Sequence, residues 1–136
     1  MDLTLRVVGV VRSPLDDPLT APRFETENAP RAELVMDPSC RTAAKDLEPG
    51  QEILLFTWLH LADRACQEVH PRADTTRPLT GVFSTRSPAR PNPIGLHQIR
   101  IEAIDGDVIT VSALEAVNGT PIIDIKPLPE RARPKA

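Results

Sequence analysis

The sequence predicts a mainly antiparallel β fold in one domain, either a barrel or a sandwich. Three observations lead there. About six short apolar runs read as strands, two dipeptides of hairpin type (Asp105-Gly106 and Asn118-Gly119) separate the last of them, and only one short helix interrupts the series. At 136 residues the chain suits a single domain with a core of its own.

The elements follow in order. Leu3 to Arg12 alternates and is rich in Val, so it reads as a strand, and Ser13-Pro14 stops it. Leu15 to Pro30 has prolines and charges but no period, which marks a long loop of the kind that often carries function. Ala32 to Val35 reads as a short strand. Ser39 to Leu47 reads as a brief helix with Ser39 as N-cap, ended by Pro49-Gly50. Gln51 to Leu61 (QEILLFTWLHL) is the strongest apolar run and reads as a central strand buried on both faces. Asp63 to Pro78 is polar and reads as a loop, and Gly81 to Thr85 as a short strand. Leu96 to Ile104 and Val108 to Val117 form a hairpin across Asp105-Gly106, and Pro121 to Lys126 follows Asn118-Gly119 as the last strand. The domain is expected to span residues 1–129, with 130–136 as a flexible tail.

Composition narrows the function classes. Aromatic residues make up 3% of the chain, so the core is aliphatic and an extensive stacking platform for single-stranded nucleic acid is not expected. The net charge of −3 gives no global attraction to phosphate backbones. Charge is uneven, however: between Asp74 and Glu102 lie Arg77, Arg86, Arg90 and Arg100 and no acidic residue. Cys40 and Cys66 have no metal-ligand spacing and are expected to be free thiols, and no metal site is expected. No signal-peptide pattern and no membrane-length apolar run is present, which points to the cytoplasm and to no membrane partner. Glycines at G-x-G spacing are absent, which excludes the dinucleotide-type phosphate loop.

Three stretches carry candidate chemistry. Arg86-Ser87-Pro88-Ala89-Arg90-Pro91-Asn92-Pro93-Ile94-Gly95-Leu96 sets guanidinium groups among prolines that fix the backbone. A loop ordered before binding loses less entropy when a ligand arrives. The stretch also reads as a rigid linker, but a plain linker has no need of two Arg and an Asn. In Gly119 to Pro127 alternation puts Asp124 and Lys126 on one strand face, either as a weak surface ion pair or as site residues. Gly9-Val10-Val11-Arg12-Ser13-Pro14, with Pro22-Arg23 beyond it, runs from strand into loop. His60, near the end of the strongest apolar run, is by itself an ordinary structural histidine.

Taken together, GVVRSP (9–14), GVFSTRSPARPNPIGL (81–96) and NGTPIIDIKP (118–127) resemble, in that order, the TsaA-like or TrmO family of S-adenosylmethionine-dependent tRNA methyltransferases. The resemblance runs from about Leu5 to Pro129. It implies a single small antiparallel β-barrel, a homodimer, S-adenosyl-L-methionine as cofactor, and methylation of N6 of threonylcarbamoyladenosine at position 37 of a tRNA. By the same resemblance, the donor would be held by Pro22, Arg23 and Phe24, by His60 and Leu61, by Arg86 and Leu96, and by Ser112, Ala113, Leu114 and Glu115. Arg90 and Asn92 would face the acidic substrate, and Asp124 and Lys126 would be catalytic. Leu61 stands where relatives often have Gln, Phe24 replaces a polar residue, Asn118 replaces Asp, and some bacterial relatives carry a second C-terminal domain. Two other readings stay open: a methyltransferase of the same barrel acting on another acidic small molecule, and a donor-binding module without chemistry.

Overall fold

The computed structural model describes residues 1–129. Eight strands are present among them: β1 (Gly9–Arg12), β2 (Ala32–Met36), β3 (Glu52–Trp58), β4 (Glu68–Val69), β5 (Thr80–Gly81), β6 (Ile94–Asp105), β7 (Val108–Val111) and β8 (Pro121–Pro127). The one α-helix, α1, spans Arg41–Ala44. Six strands close on themselves as a barrel in the order β1-β2-β7-β6-β3-β8, and β4 and β5 form a separate two-stranded ribbon. All pairings are antiparallel. The expected mainly β fold with one short helix and long loops is what the chain adopts.

Alternation explains the closure. Along β6, residues 95, 97, 99 and 101 are buried while 94, 96, 98 and 100 are exposed. The inward set meets Ile53 and Leu55 of β3, Leu34 of β2, Val111 of β7 and Ile122 of β8 in an aliphatic core that contains no aromatic residue among its buried members. Burial of that apolar surface is the main stabilising term. Gly106 (φ 59°) and Gly119 (φ 86°) take the left-handed backbone their turns require, which explains glycine at both places.

The structure corrects several expectations. The first strand begins only at Gly9, opposite the last residue of β2, Met36; Val8 still bonds Asp37 N and Ile122 O through its backbone. Leu3, Leu5 and Val7 alternate but are exposed. The helical stretch is a 3-10 turn at Pro38–Cys40 followed by α1, and its N-cap is Asp37, whose carboxylate accepts from Ser39 N at 2.9 Å; Ser39 itself lies inside the turn. β3 is not buried on both faces: Ile53, Leu55 and Thr57 point inward and the residues between them are half-buried on the outside. Gly81 to Thr85 is the end of β5 followed by a 3-10 turn at Val82–Ser84. Strand β7 stops at Val111, after which the chain leaves the sheet and Leu114 N donates to Pro30 O. The expected tail at 130–136 lies outside the described residues.

Candidate active site

A cavity of about 500 Å³ opens at one end of the barrel. Its walls come from four parts of the chain: the first long loop (Pro18 to Phe24), the exit of β3 (Leu59 to Asp63), the Pro-rich loop into β6 (Arg86 to Arg90 and Ile94 to His97), and the segment before β8 (Glu115 to Thr120). Its size falls within the ordinary range for small-molecule sites.

The Pro-rich loop is held rigid by its own side chains. The Arg90 guanidinium donates to three carbonyls of the same loop, Thr85 O (3.2 Å), Ser87 O (2.9 Å) and Val82 O (3.0 Å). Arg64 clasps the loop from outside, donating to Pro91 O at 2.9 Å and to Asn92 Oδ1 at 3.2 Å, with its guanidinium over the Trp58 ring. The far end of the cavity is fixed by Asn118, whose Oδ1 accepts from Ser13 N and whose N–H donates to Leu15 O. These bonds tie the first loop to the turn before β8.

Arg86 is exposed, donates to Leu96 O at 3.3 Å, and lies 5.8 Å from the centre of the Phe24 ring. On the same ring Arg72 lies at 5.4 Å and also pairs with Glu27 at 2.5 Å. The hydrogen bond from Arg72 holds the Glu27 carboxyl below the usual carboxylate range. Phe24 is thus an aromatic face between two cations, in a wall where Arg23 and His60 add donors and Leu61, Ile94 and Leu96 add apolar surface.

The cavity gathers many of the expected site residues: Pro22, Arg23, Phe24, His60, Leu61, Arg86, Arg90, Leu96 and Glu115 all line it. Others lie elsewhere. Leu114 is fully buried in the core. Ser112 bonds the Arg100 backbone, its Oγ accepting from Arg100 N and its N–H donating to Arg100 O. Ala113 lies between these two, outside the cavity lining. Asn92 is spent on Arg64. Asp124 and Lys126 form an ion pair at 3.3 Å on the exposed outer face of β8 and do not line the cavity of their own chain.

Sequence reasoning named Glu115 but missed the buried polar groups that meet it. His97 is 2% exposed, its Nε2 lies 2.7 Å from Thr57 Oγ1, and its Nδ1 meets Glu115 Oε1. Glu25, from the first long loop, lies close to both Glu115 and His97. The signal for His97 was present: it shares the period-two inward face of β6 with Ile99 and Ile101, a place where a histidine needs partners.

Residues 10–132 match the family model described as the tRNA-methyltransferase O N-terminal domain. A protein of Methanothermobacter thermautotrophicus named as a probable S-adenosyl-L-methionine-binding protein is 41% identical over 127 residues, covering 93% of this chain and 90% of that one. A human tRNA (adenine(37)-N6)-methyltransferase is 54% identical over 48 residues, 35% of this chain and 11% of its own length. Among solved structures, a crystal structure of TrmO superposes with a TM-score of 0.77 at 29% identity, and TrmO from Pseudomonas aeruginosa with 0.75 at 26%. The chain spans 62% and 60% of those two crystallised chains.

Proposed function

The chain belongs to the family of the tRNA-methyltransferase O N-terminal domain, and on that premise we propose that it is an S-adenosyl-L-methionine-dependent methyltransferase acting on N6 of threonylcarbamoyladenosine at position 37 of a tRNA. The observation that carries this reading is the cavity itself, in which Phe24, flanked by cations, stands beside Arg86, Leu96 and Glu115 at the end of a rigid loop. The aromatic and apolar surfaces suit an adenosine, and the arginines suit carboxylates and phosphates, which guanidinium groups bind in bidentate fashion.

The donor supplies an activated methyl group on sulfur. The protein's part is placement, since holding donor and acceptor in line provides much of the rate of such a displacement. In this reading Arg90 serves the substrate through the loop it fixes, and Arg86 contacts the donor directly.

We infer further that the active form is a homodimer and that Asp124 and Lys126 of one copy complete the cavity of the other. Two features support this. The pair lies outside its own cavity, and several large apolar side chains, Leu3, Leu5 and Val7 among them, are exposed and available to a second copy. No helix among the described residues is long and apolar enough to cross a membrane, and a tRNA substrate would suit a protein of the cytoplasm.

The test is transfer of labelled methyl from donor to bulk tRNA, followed by mass spectrometry of the nucleosides. Label in methylated threonylcarbamoyladenosine is the expected result. Label in a small acidic metabolite, or donor binding with no transfer to any extract, would replace this reading with another.

A further inference from the structure

Of the buried polar cluster beside the cavity, only Glu115 enters the reading above, and the cluster as a unit has no role in it. One ligand atom from each of Glu25, His97 and Glu115 lies within 4.8 Å of the others. Glu25 Oε2 and Glu115 Oε2 are both buried and without a hydrogen-bond partner. His97 is fully engaged, with Glu115 on Nδ1 and Thr57 on Nε2. His97 and Glu115 both face the cavity.

Charge makes this arrangement informative. A buried carboxylate is costly unless something positive balances it. His97 Nδ1 gives one of the two carboxylates a hydrogen-bond partner. The second needs a cation beside it or a proton on it. The donor in the proposed reaction is a sulfonium cation, and it stops being one when its methyl group leaves.

We propose that the Glu25–His97–Glu115 cluster is the proton acceptor of the methyl transfer. This rests on the donor reading above. In the step, the acceptor nitrogen's lone pair forms the N–CH3 bond. The S–CH3 bond breaks and its electron pair stays on sulfur, which becomes a neutral thioether. The proton on the acceptor nitrogen passes to the cluster through Glu115, the carboxylate that lines the cavity. The positive charge lost at sulfur is thereby replaced by a proton a short distance away, and the net charge of the site is unchanged. Thr57 is a positioning residue that holds the imidazole so that its other nitrogen stays on Glu115.

Proton counting by calorimetry tests this on the full chain. Donor and demethylated product are each titrated in buffers of different ionisation enthalpy. Near neutral pH the product complex is expected to hold about one proton more than the donor complex. Glu115→Gln should abolish the difference, Glu25→Gln should reduce it, and transfer by Glu115→Gln should fall roughly 100-fold. Equal counts in the unaltered protein overturn the inference. So does a difference that survives both substitutions, because the proton then sits on another group of the cavity such as His60 or Asp63, among Arg23, Arg86 and Arg90. A stoichiometric divalent ion in the purified protein also overturns it, since the ion would satisfy the same oxygens. No heat from either ligand overturns the donor reading and this inference together, whereas heat with equal proton counts overturns this inference alone.

Discussion

A Cβ at position 95 would lie 2.2 Å from Thr57 Oγ1, so Gly95 is where β6 passes the buried hydroxyl that orients His97. The next nearest atom, His97 Nε2, would be 2.7 Å away. Neither neighbour has room to move, since Thr57 is fully buried and His97 nearly so. Gly95→Ala is therefore expected to destabilise the protein by roughly 1–3 kcal/mol, the usual effect of overpacking. Donor binding should weaken as well, because His97 lines the cavity. Chemical unfolding and calorimetry check the two effects, and an alanine tolerated in both would show that the strand shifts freely there.

Arg90 and Arg86 should separate cleanly. Arg90 satisfies three carbonyls of its own loop, so Arg90→Met leaves those acceptors without a charged donor and should lower stability by about 2 kcal/mol or more. Arg86 is exposed and makes one long bond, so Arg86→Ala should barely move the melting temperature while weakening donor binding about tenfold, or about 1.4 kcal/mol. Melting curves and donor titrations on the two variants, run side by side, decide the point.

The Asp124–Lys126 pair is exposed, and such pairs contribute roughly 0–1 kcal/mol. Asp124→Asn and Lys126→Met should both melt like the unaltered protein. If the pair serves a neighbouring copy's cavity, both variants lose transfer, and mixing Asp124→Asn with Arg86→Ala restores part of it, because a mixed dimer contains one intact site. Mixing without recovery, in subunits known to exchange, would remove the pair from the site.

Acid sensitivity follows from the carboxylates that hold arginines. Arg41 meets Asp107 through Nε and Nη2, at 3.0 Å and 2.8 Å, and that hydrogen bond holds the Asp107 carboxyl below its ordinary value; Arg12 does the same for Glu33. A carboxyl depressed in the folded state binds its proton more readily when unfolded. Its stabilisation is complete above the ordinary carboxylate value of about 4 and is lost as pH falls below it. Asp107→Asn should therefore lower the neutral plateau of the melting-temperature profile slightly, leave the strongly acid end nearly unchanged, and so flatten the acid limb.

The parts of the fold visible in the sequence are those fixed by local chemistry. Asp105-Gly106 and Asn118-Gly119 mark real turns because each needs a left-handed glycine, and the alternation after Ile94 marks β6 because one face must be buried. Where pairing partners decide, local pattern misleads. Leu3 to Val7 alternates like a strand but stays outside the sheet, and the strand expected to run on to Val117 ends at Val111, with Leu114 N bonded instead to Pro30 O. The cavity follows the same rule. Arg86 and Leu96 lie within one readable motif, whereas Thr57, His97, Glu115 and Glu25 meet only because the ring closes.

That closure has a consequence for how the chain is made. The ring is sealed where β8 slots between β1 and β3, pairing Gly9 with Ile122 and Leu55 with Ile125. A ribosome-bound chain lacking β8 leaves both neighbours as open edges, and those contacts span nearly the whole chain, which slows folding. Neither the core nor the site can be complete on a nascent chain until Pro127 has left the exit tunnel. Translational pausing before that point should expose the half-built ring to chaperones, and pausing after it should not.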